Sequence, residues 1–109
     1  MPLLKGTLDV LVLKALSWGP MHGFEITSWL EERSGGRLTV VDAALLQALH
    51  RMEARKLITA EWGVTTNARR ARYYRLTAEG RAALKAESRG LLDHVDALTQ
   101  VLTARTLEP

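Results

Sequence analysis

Cysteine is absent from this sequence of 109 residues. Its absence excludes disulfides, thiolate nucleophiles and zinc sites with sulfur ligands, and it gives no sign of an oxidising compartment. Long hydrophobic runs are absent as well, since the longest one outside small residues covers only 10–13, between Asp9 and Lys14. A membrane-spanning helix requires roughly 20 such residues, and no signal peptide is recognisable. We therefore expect a cytoplasmic protein that does not contact membranes.

Residues that could carry catalysis are also scarce. The three histidines, His22, His50 and His94, lie far apart, and none has a partner at the spacing of metal ligands. Asp93 and Asp96 flank His94, but no nucleophile stands beside them. The chain has neither a P-loop nor a G-x-G-x-x-G fingerprint. We expect no enzyme activity, no catalytic residue, no metal site and no cofactor.

Positive charge is concentrated in one short segment. Apolar residues (47%) and charged residues (25%) occur in the proportions of a folded domain, and the net charge is only +3. The segment 61–76 contains a single acid, Glu61, together with the bases Arg69, Arg70, Arg72 and Arg75. Clustered guanidinium groups favour contact with a polyanion because they displace counterions from phosphates. A solvated basic loop is the alternative.

The first apolar segment predicts a helix that is buried on two sides. It should span about 7–18, with Thr7 as its N-cap and Gly19-Pro20 as its stop. Its apolar residues face nearly all directions, so one side should pack in the core while the other requires a second partner. In so small a protein this partner could be another copy of the chain, which Val10 and Leu13 would contact.

Two further helices are predicted before residue 56. Helix 2 should cover about 21–33 and stop at Gly35-Gly36. Helix 3 should begin at Asp42 as N-cap and bury Leu45, Leu49 and Met52 on one face. Its opposite face has the composition of a helix that lies in a major groove, although an ordinary solvated face explains it equally well; the residues concerned are Ala44, Gln47, Arg51 and Arg55.

The segment after helix 3 has the pattern of a β-hairpin with a basic tip. Strand formers occupy Ile58 to Val64 and Tyr73 to Leu76. In the second strand Tyr74 should point into the core while Tyr73 points outwards. Three helices followed by a basic hairpin are the order of a winged helix-turn-helix domain, mainly α with a small β-hairpin. We assign this domain to residues 1–76.

The remaining residues, 77–109, have the pattern of a dimerisation helix. Apolar residues recur at alternating steps of three and four over about three heptads, at Leu84, Leu91, Val95, Leu98 and Leu102. A helix from about 78 to 105 would be about 42 Å long, which exceeds the length of a small winged domain. We expect it to pack against a second subunit; the alternative is a helix folded back on its own domain.

Four motifs in this order resemble the PadR family of bacterial transcriptional regulators. They are Leu4-Lys5-Gly6-Thr7-Leu8-Asp9, Gly19-Pro20-Met21-His22-Gly23-Phe24, Ala48-Leu49-His50-Arg51-Met52-Glu53 and Arg69-Arg70-Ala71-Arg72-Tyr73-Tyr74-Arg75-Leu76-Thr77, within about residues 3–90. The resemblance implies a winged helix-turn-helix repressor that binds inverted-repeat operator DNA as a homodimer through the C-terminal helix and helix 1. The length resembles the short branch of the family, which has a single C-terminal helix.

Together these patterns predict two sets of site residues. The residues expected to contact double-stranded DNA are Ala44, Leu46, Gln47, His50, Arg51 and Arg55 of helix 3, and Asn67, Arg69, Arg70 and Arg72 of the wing. Gln47 and Arg51 should contact base edges, and the wing arginines should hold the DNA backbone. The residues expected at the dimer interface are Leu4, Val10, Leu13, Leu84, Leu91, Val95, Leu98 and Leu102.

The recognition helix departs from the family pattern. Family members usually have Gly-Thr or Gly-Ser followed by Leu-Tyr-Pro, where this chain has Ala43-Ala44-Leu45-Leu46-Gln47. Leu46 replaces a tyrosine that helps to contact DNA in the family, while Gln47 adds an amide that can pair with adenine. The alternative function is therefore a winged-helix dimer that binds a protein or a small molecule. An exposed Leu46 would favour a protein contact, and a buried one would leave the DNA prediction intact.

Some family members bind effectors, and one group binds flat drugs between tryptophans at the dimer interface. In this chain Trp18, Trp29 and Trp62 all lie outside the C-terminal helix. We therefore predict no drug sensor, and the sequence assigns no effector.

Overall fold

A computed structural model describes residues 6–105 and residue 107 of the chain. The described part contains four helices and one two-stranded antiparallel sheet, in the order of a winged helix-turn-helix domain followed by a long helix. The elements are α1 (Thr7–Leu16), α2 (Gly23–Arg33), α3 (Asp42–Ala54), β1 (Ile58–Val64), β2 (Arg70–Leu76) and α4 (Ala78–Leu102). The predicted fold class is confirmed.

The predicted N-caps of α1 and α3 are each wrong by one residue. Gly6 precedes α1 with φ of 88°, a left-handed conformation that glycine adopts without steric cost, so Thr7 already lies inside the helix. Val41 caps α3, and Asp42 is its first helical residue. There its carboxylate faces the positive end of the helix dipole.

The two strands of the hairpin pair with each other, and an isolated β-bridge joins β2 to residue 21. β1 and β2 pair antiparallel from Ile58 opposite Leu76 to Val64 opposite Arg70, so β2 begins three residues before the predicted Tyr73. On the other edge of β2, the backbone N–H of Met21 donates to the carbonyl of Tyr74 at 3.1 Å, and the N–H of Tyr74 donates back at 2.9 Å. Because Met21 takes part in this bridge, α2 begins at Gly23 instead of residue 21.

Helix α1 lies at the centre of the core and contacts α2, α3 and α4 of the same chain. Leu13 is fully buried and Val10 is 8% exposed. The second apolar side of α1 is thus covered largely from within the chain, which leaves these two residues little surface for a second subunit. Their dimer contacts stay predictions. Tyr74 is 4% exposed, which confirms its predicted place in the core.

The start of helix α4 is hydrogen-bonded to the base of the hairpin, and its second half extends beyond the winged-helix domain. The Thr77 hydroxyl accepts from the N–H of Gly80 at 3.0 Å and donates to the carbonyl of Lys56 at 2.7 Å. Every residue from Leu92 to Leu102 is exposed, and the described chain extends over 62 Å. The helix ends at Leu102, three residues before the predicted end. Within the described residues, no helix is long and apolar enough to cross a membrane.

Candidate nucleic-acid interface

Helix α3 presents a polar face to solvent. Leu45, Leu49 and Met52 are at most 5% exposed, which confirms the predicted buried stripe. At about 100° per residue, Gln47 and His50 lie opposite this stripe. The predicted contact residues on α3 are all exposed: Ala44, Leu46, Gln47, His50, Arg51 and Arg55.

Arg51 is held by a partner that the sequence did not indicate. Its Nη2 lies 2.7 Å from Oδ1 of Asp9 on α1, and its Nε lies 3.5 Å from Oδ2 of the same carboxylate. The hydrogen bond and the charge of Asp9 raise the pKa of Arg51. A base contact by Arg51 would therefore have to compete with this ion pair or use the N–H groups that it leaves free.

The tip of the hairpin is a short turn with exposed polar and basic side chains. The backbone N–H of Thr65 donates to the carbonyl of Arg69 at 2.8 Å, and Ala68 adopts a left-handed φ of 60°. Asn67, Arg69 and Arg70 are exposed. The sequence predicted this basic wing, but it did not indicate how each arginine is held.

The wing arginines fall into two groups. Arg72 pairs with Glu53 of α3 at 3.1 Å, and Arg75 pairs with Glu61 at 3.3 Å. In the part of the chain that the structure describes, neither Arg69 nor Arg70 forms an ion pair. The Arg70 guanidinium lies 4.6 Å from the centre of the Trp62 ring, which leaves its charge available while the ring supports the side chain. Glu53 and Trp62 are thus parts of the candidate interface that sequence analysis missed. A strand register that pairs Trp62 with Arg72 places Trp62 on the same face of the hairpin as Arg70, and it could have indicated this contact.

An open cleft of about 980 Å³ lies between the start of α2, α3 and the wing. Three large apolar side chains border it and remain exposed: Phe24 at 77%, Trp62 at 61% and Leu46 at 50%. Leu46 is therefore outside the core, which is the outcome expected to favour a protein contact at this surface. Basic side chains border the cleft on the wing side, namely Arg69, Arg70 and Arg72, and acidic ones border it at the starts of α2 and α3, namely Glu25 and Asp42.

His22 has a structural role at the edge of this cleft. Its Nδ1 accepts from the N–H of Glu25 at 3.4 Å, and its own N–H donates to the Glu25 carboxylate at 3.1 Å, so the two residues cap α2. The imidazole also contacts the Tyr73 ring edge-on, with 5.3 Å between the ring centres. Among the described residues, no group of three or more potential metal ligands comes together.

The residues predicted at the dimer interface differ in how far they are exposed. Leu4 lies outside the described residues. Leu84 packs partly against the core, and Leu91 is half-buried. Val95 and Leu98 are each 47% exposed, and Leu102 is 81% exposed. The far half of α4 thus presents an uncovered apolar surface.

This chain is similar to known proteins in sequence and in fold. The profile of the "Transcriptional regulator PadR-like family" matches residues 12–86. An uncharacterised protein of Lysinibacillus sphaericus is 27% identical over 82 residues, which are 75% of each chain.

Two solved structures illustrate the similarity of fold. The crystal structure of a PadR family transcription regulator from Clostridium difficile is 26% identical and gives a TM-score of 0.76, with 89% of this chain and 99% of that chain covered. A PadR-like transcriptional regulator from Bacillus cereus is 22% identical and gives a TM-score of 0.78, with 94% and 97% covered, which supports the fold alone. By its sequence and its winged-helix architecture, this chain belongs to the PadR-like family of transcriptional regulators.

Proposed function

We propose that this protein binds double-stranded promoter DNA in the cytoplasm as a homodimer and represses transcription. The observation that carries the proposal is that Leu46 of α3 borders one open cleft together with Arg69 and Arg70 of the wing, which form no ion pair within 6–105 and 107. A helix in the major groove and a wing on the adjacent backbone would use this same side of the domain.

The roles of individual residues follow from their partners. Gln47 and His50 are exposed on the outer face of α3 and would contact base edges. Arg69 and Arg70 would bind phosphates, with Asn67 at the tip beside them. Arg51 would serve mainly to hold α3 against α1 through Asp9, and Ala44, Arg55 and Arg72 would lie at the margin of the contact.

The far half of α4 supports a second copy of the chain as partner. Its exposed large apolar side chains cover about three turns, and water-exposed surfaces of this kind are typical of protein interfaces; they are Leu92, Val95, Leu98, Val101 and Leu102. A two-fold dimer would require an inverted-repeat site with half-sites about one helical turn, or a multiple of it, apart.

Substitution of Leu98 by glutamate should convert the dimer to a monomer, because a carboxylate would be desolvated in the centre of the apolar seam. Sedimentation velocity at micromolar concentration measures the change. Ala86→Glu, on a different side of α4, is the matched control and should remain dimeric. A dimeric Leu98→Glu variant, or a monomeric unsubstituted protein, would contradict this seam.

The DNA proposal is tested by fluorescence anisotropy with the protein's own upstream promoter and a scrambled duplex of equal length, at 50 and 200 mM salt. We expect tighter binding to the promoter, by at least about a thousandfold, together with a steep loss of affinity at the higher salt. Equal binding to both duplexes would mean that the protein contacts the DNA backbone without recognising bases. This result would contradict the operator-specific part of the proposal.

The second candidate function is a winged-helix dimer that binds a protein or a small molecule. The exposure of Leu46 and Phe24 beside the cleft favours it. Absence of binding to either duplex at 50 mM salt would support this function over the first. We propose no effector-binding site for the DNA-binding function.

A further inference from the structure

We propose that Leu46 contacts the 5-methyl groups of thymines in the operator, and so determines sequence preference by apolar contact in the major groove. The inference rests on the proposed DNA binding and specifies what α3 recognises. Nothing in the residue's own position requires an apolar side chain for stability, because Leu46 is 50% exposed while its neighbour Leu45 is 5% exposed.

The position of Leu46 suits a contact at the edge of the groove. At about 100° per residue, it lies on α3 between the buried Leu45 and the outward-facing His50, on the flank that carries Glu53. Glu53 pairs with Arg72 of β2, so this flank faces the wing. Leu46 consequently borders the cleft, with the wing arginines on the other wall.

The chemistry of the cleft selects the occupant. The arginine wall carries two cations, Arg69 and Arg70, that have no ion-pair partner among the described residues, so it is complementary to phosphates. Leu46 can neither donate nor accept a hydrogen bond, and the thymine methyl is the apolar group that bases display in the major groove. A DNA strand that contains thymine could therefore contact both walls, with its phosphates on the arginines and the thymine methyl on Leu46.

The adjacent residue extends this preference. Gln47 follows Leu46 on the exposed side of α3, and an amide side chain can pair with N6 and N7 of adenine. Leu46 and Gln47 together would favour neighbouring T·A and A·T pairs.

The test removes the thymine methyl groups from the whole promoter fragment, so the position of the operator within it need not be known. The fragment is amplified with dUTP in place of dTTP, and Kd is measured for both fragments. We expect the unsubstituted protein to bind the uracil fragment at least about fivefold more weakly, which is about 1 kcal/mol at 1.4 kcal/mol per tenfold. For Leu46→Ala, the ratio of the two Kd values should fall to about one.

Controls separate this inference from the proposed function. Leu107→Ala, which changes an exposed leucine beyond the end of α4, should keep the ratio of the unsubstituted protein, and Leu46→Met, which remains apolar, should keep most of it. Promoter-specific binding with the same ratio in Leu46→Ala and the unsubstituted protein would overturn the role of Leu46 alone. Absence of promoter binding by the unsubstituted protein would overturn both.

Discussion

The double substitution of Arg69 and Arg70 by alanine is expected to weaken binding to every duplex by at least about 30-fold at 150 mM salt. Each phosphate contact releases condensed counterions, so the slope of log K against log salt falls by about one for each arginine contact that is lost. The loss should be nearly equal for promoter and scrambled DNA, since phosphate contacts carry no sequence information.

The choice of these two arginines follows from the ion pairs of their neighbours. Arg72 and Arg75 are already neutralised by Glu53 and Glu61, and removal of either would also release an acid beside the DNA. Arg69 and Arg70 are exposed and have no such partner in the described structure. Substitution of Arg69 and Arg70 therefore reports on the contact between the wing and DNA, because it breaks no ion pair of the described structure.

The matched control removes the same charge from α4. Lys85→Ala combined with Arg89→Ala changes two exposed bases outside the wing and should leave the salt slope unchanged. Anisotropy titrations at four or more salt concentrations give the slopes. An unchanged slope in the Arg69 and Arg70 variant, or an equal fall in the control, would contradict the assignment of the wing to phosphates.

Gly80→Ala is expected to lower the free energy of unfolding by about 3 kcal/mol, at the high end for a single methyl group. A Cβ at Gly80 would lie 2.0 Å from the carbonyl oxygen of Leu57 and 3.0 Å from its carbon. Because both atoms belong to the backbone, no rotamer change can relieve the overlap. Helix α4 would have to move away from Leu57, whose carbonyl also accepts the N–H of Thr77 at 3.1 Å.

Gly90 provides the control in the same helix. A Cβ at Gly90 meets no atom within 4 Å, so Gly90→Ala should raise the stability by about 0.5–1 kcal/mol through helix propensity. Urea denaturation at one protein concentration compares the three proteins. Equal stability of Gly80→Ala and the unsubstituted protein would show that the contact with Leu57 is not tight.

Local patterns predicted the elements of this fold well. The strand formers in 58–64 and 73–76 identified the hairpin. The burial of Tyr74 was predictable because a strand repeats its side-chain direction every two residues. The boundaries shifted where a partner distant in sequence decided them. Residue 21 joins a β-bridge to Tyr74, and nothing in its neighbourhood along the chain encodes that partner.

The candidate site was predictable in outline but not in its ion pairs. The arginines of 69–75 were visible as a charge cluster, whereas the pairing of Arg51 with Asp9 joins residues 42 positions apart. Periodicity indicated two apolar sides of α1, but it could not tell whether α4 of the same chain or a second chain covers the outer one. The tertiary packing places Leu13 wholly within the core of its own chain.

The close packing of Gly80 against the backbone of Leu57 also couples the orientation of α4 to that of the hairpin. Since no gap separates the start of α4 from the residue before β1, a tilt of the helix carries the base of the hairpin with it. A helix of 25 residues is about 37 Å long, so a rotation of about 5° at its root moves its far end by about 3 Å. In a dimer joined through the far end of α4, the angle between α4 and the hairpin at the contact of Gly80 with Leu57 would determine the separation of the two wings.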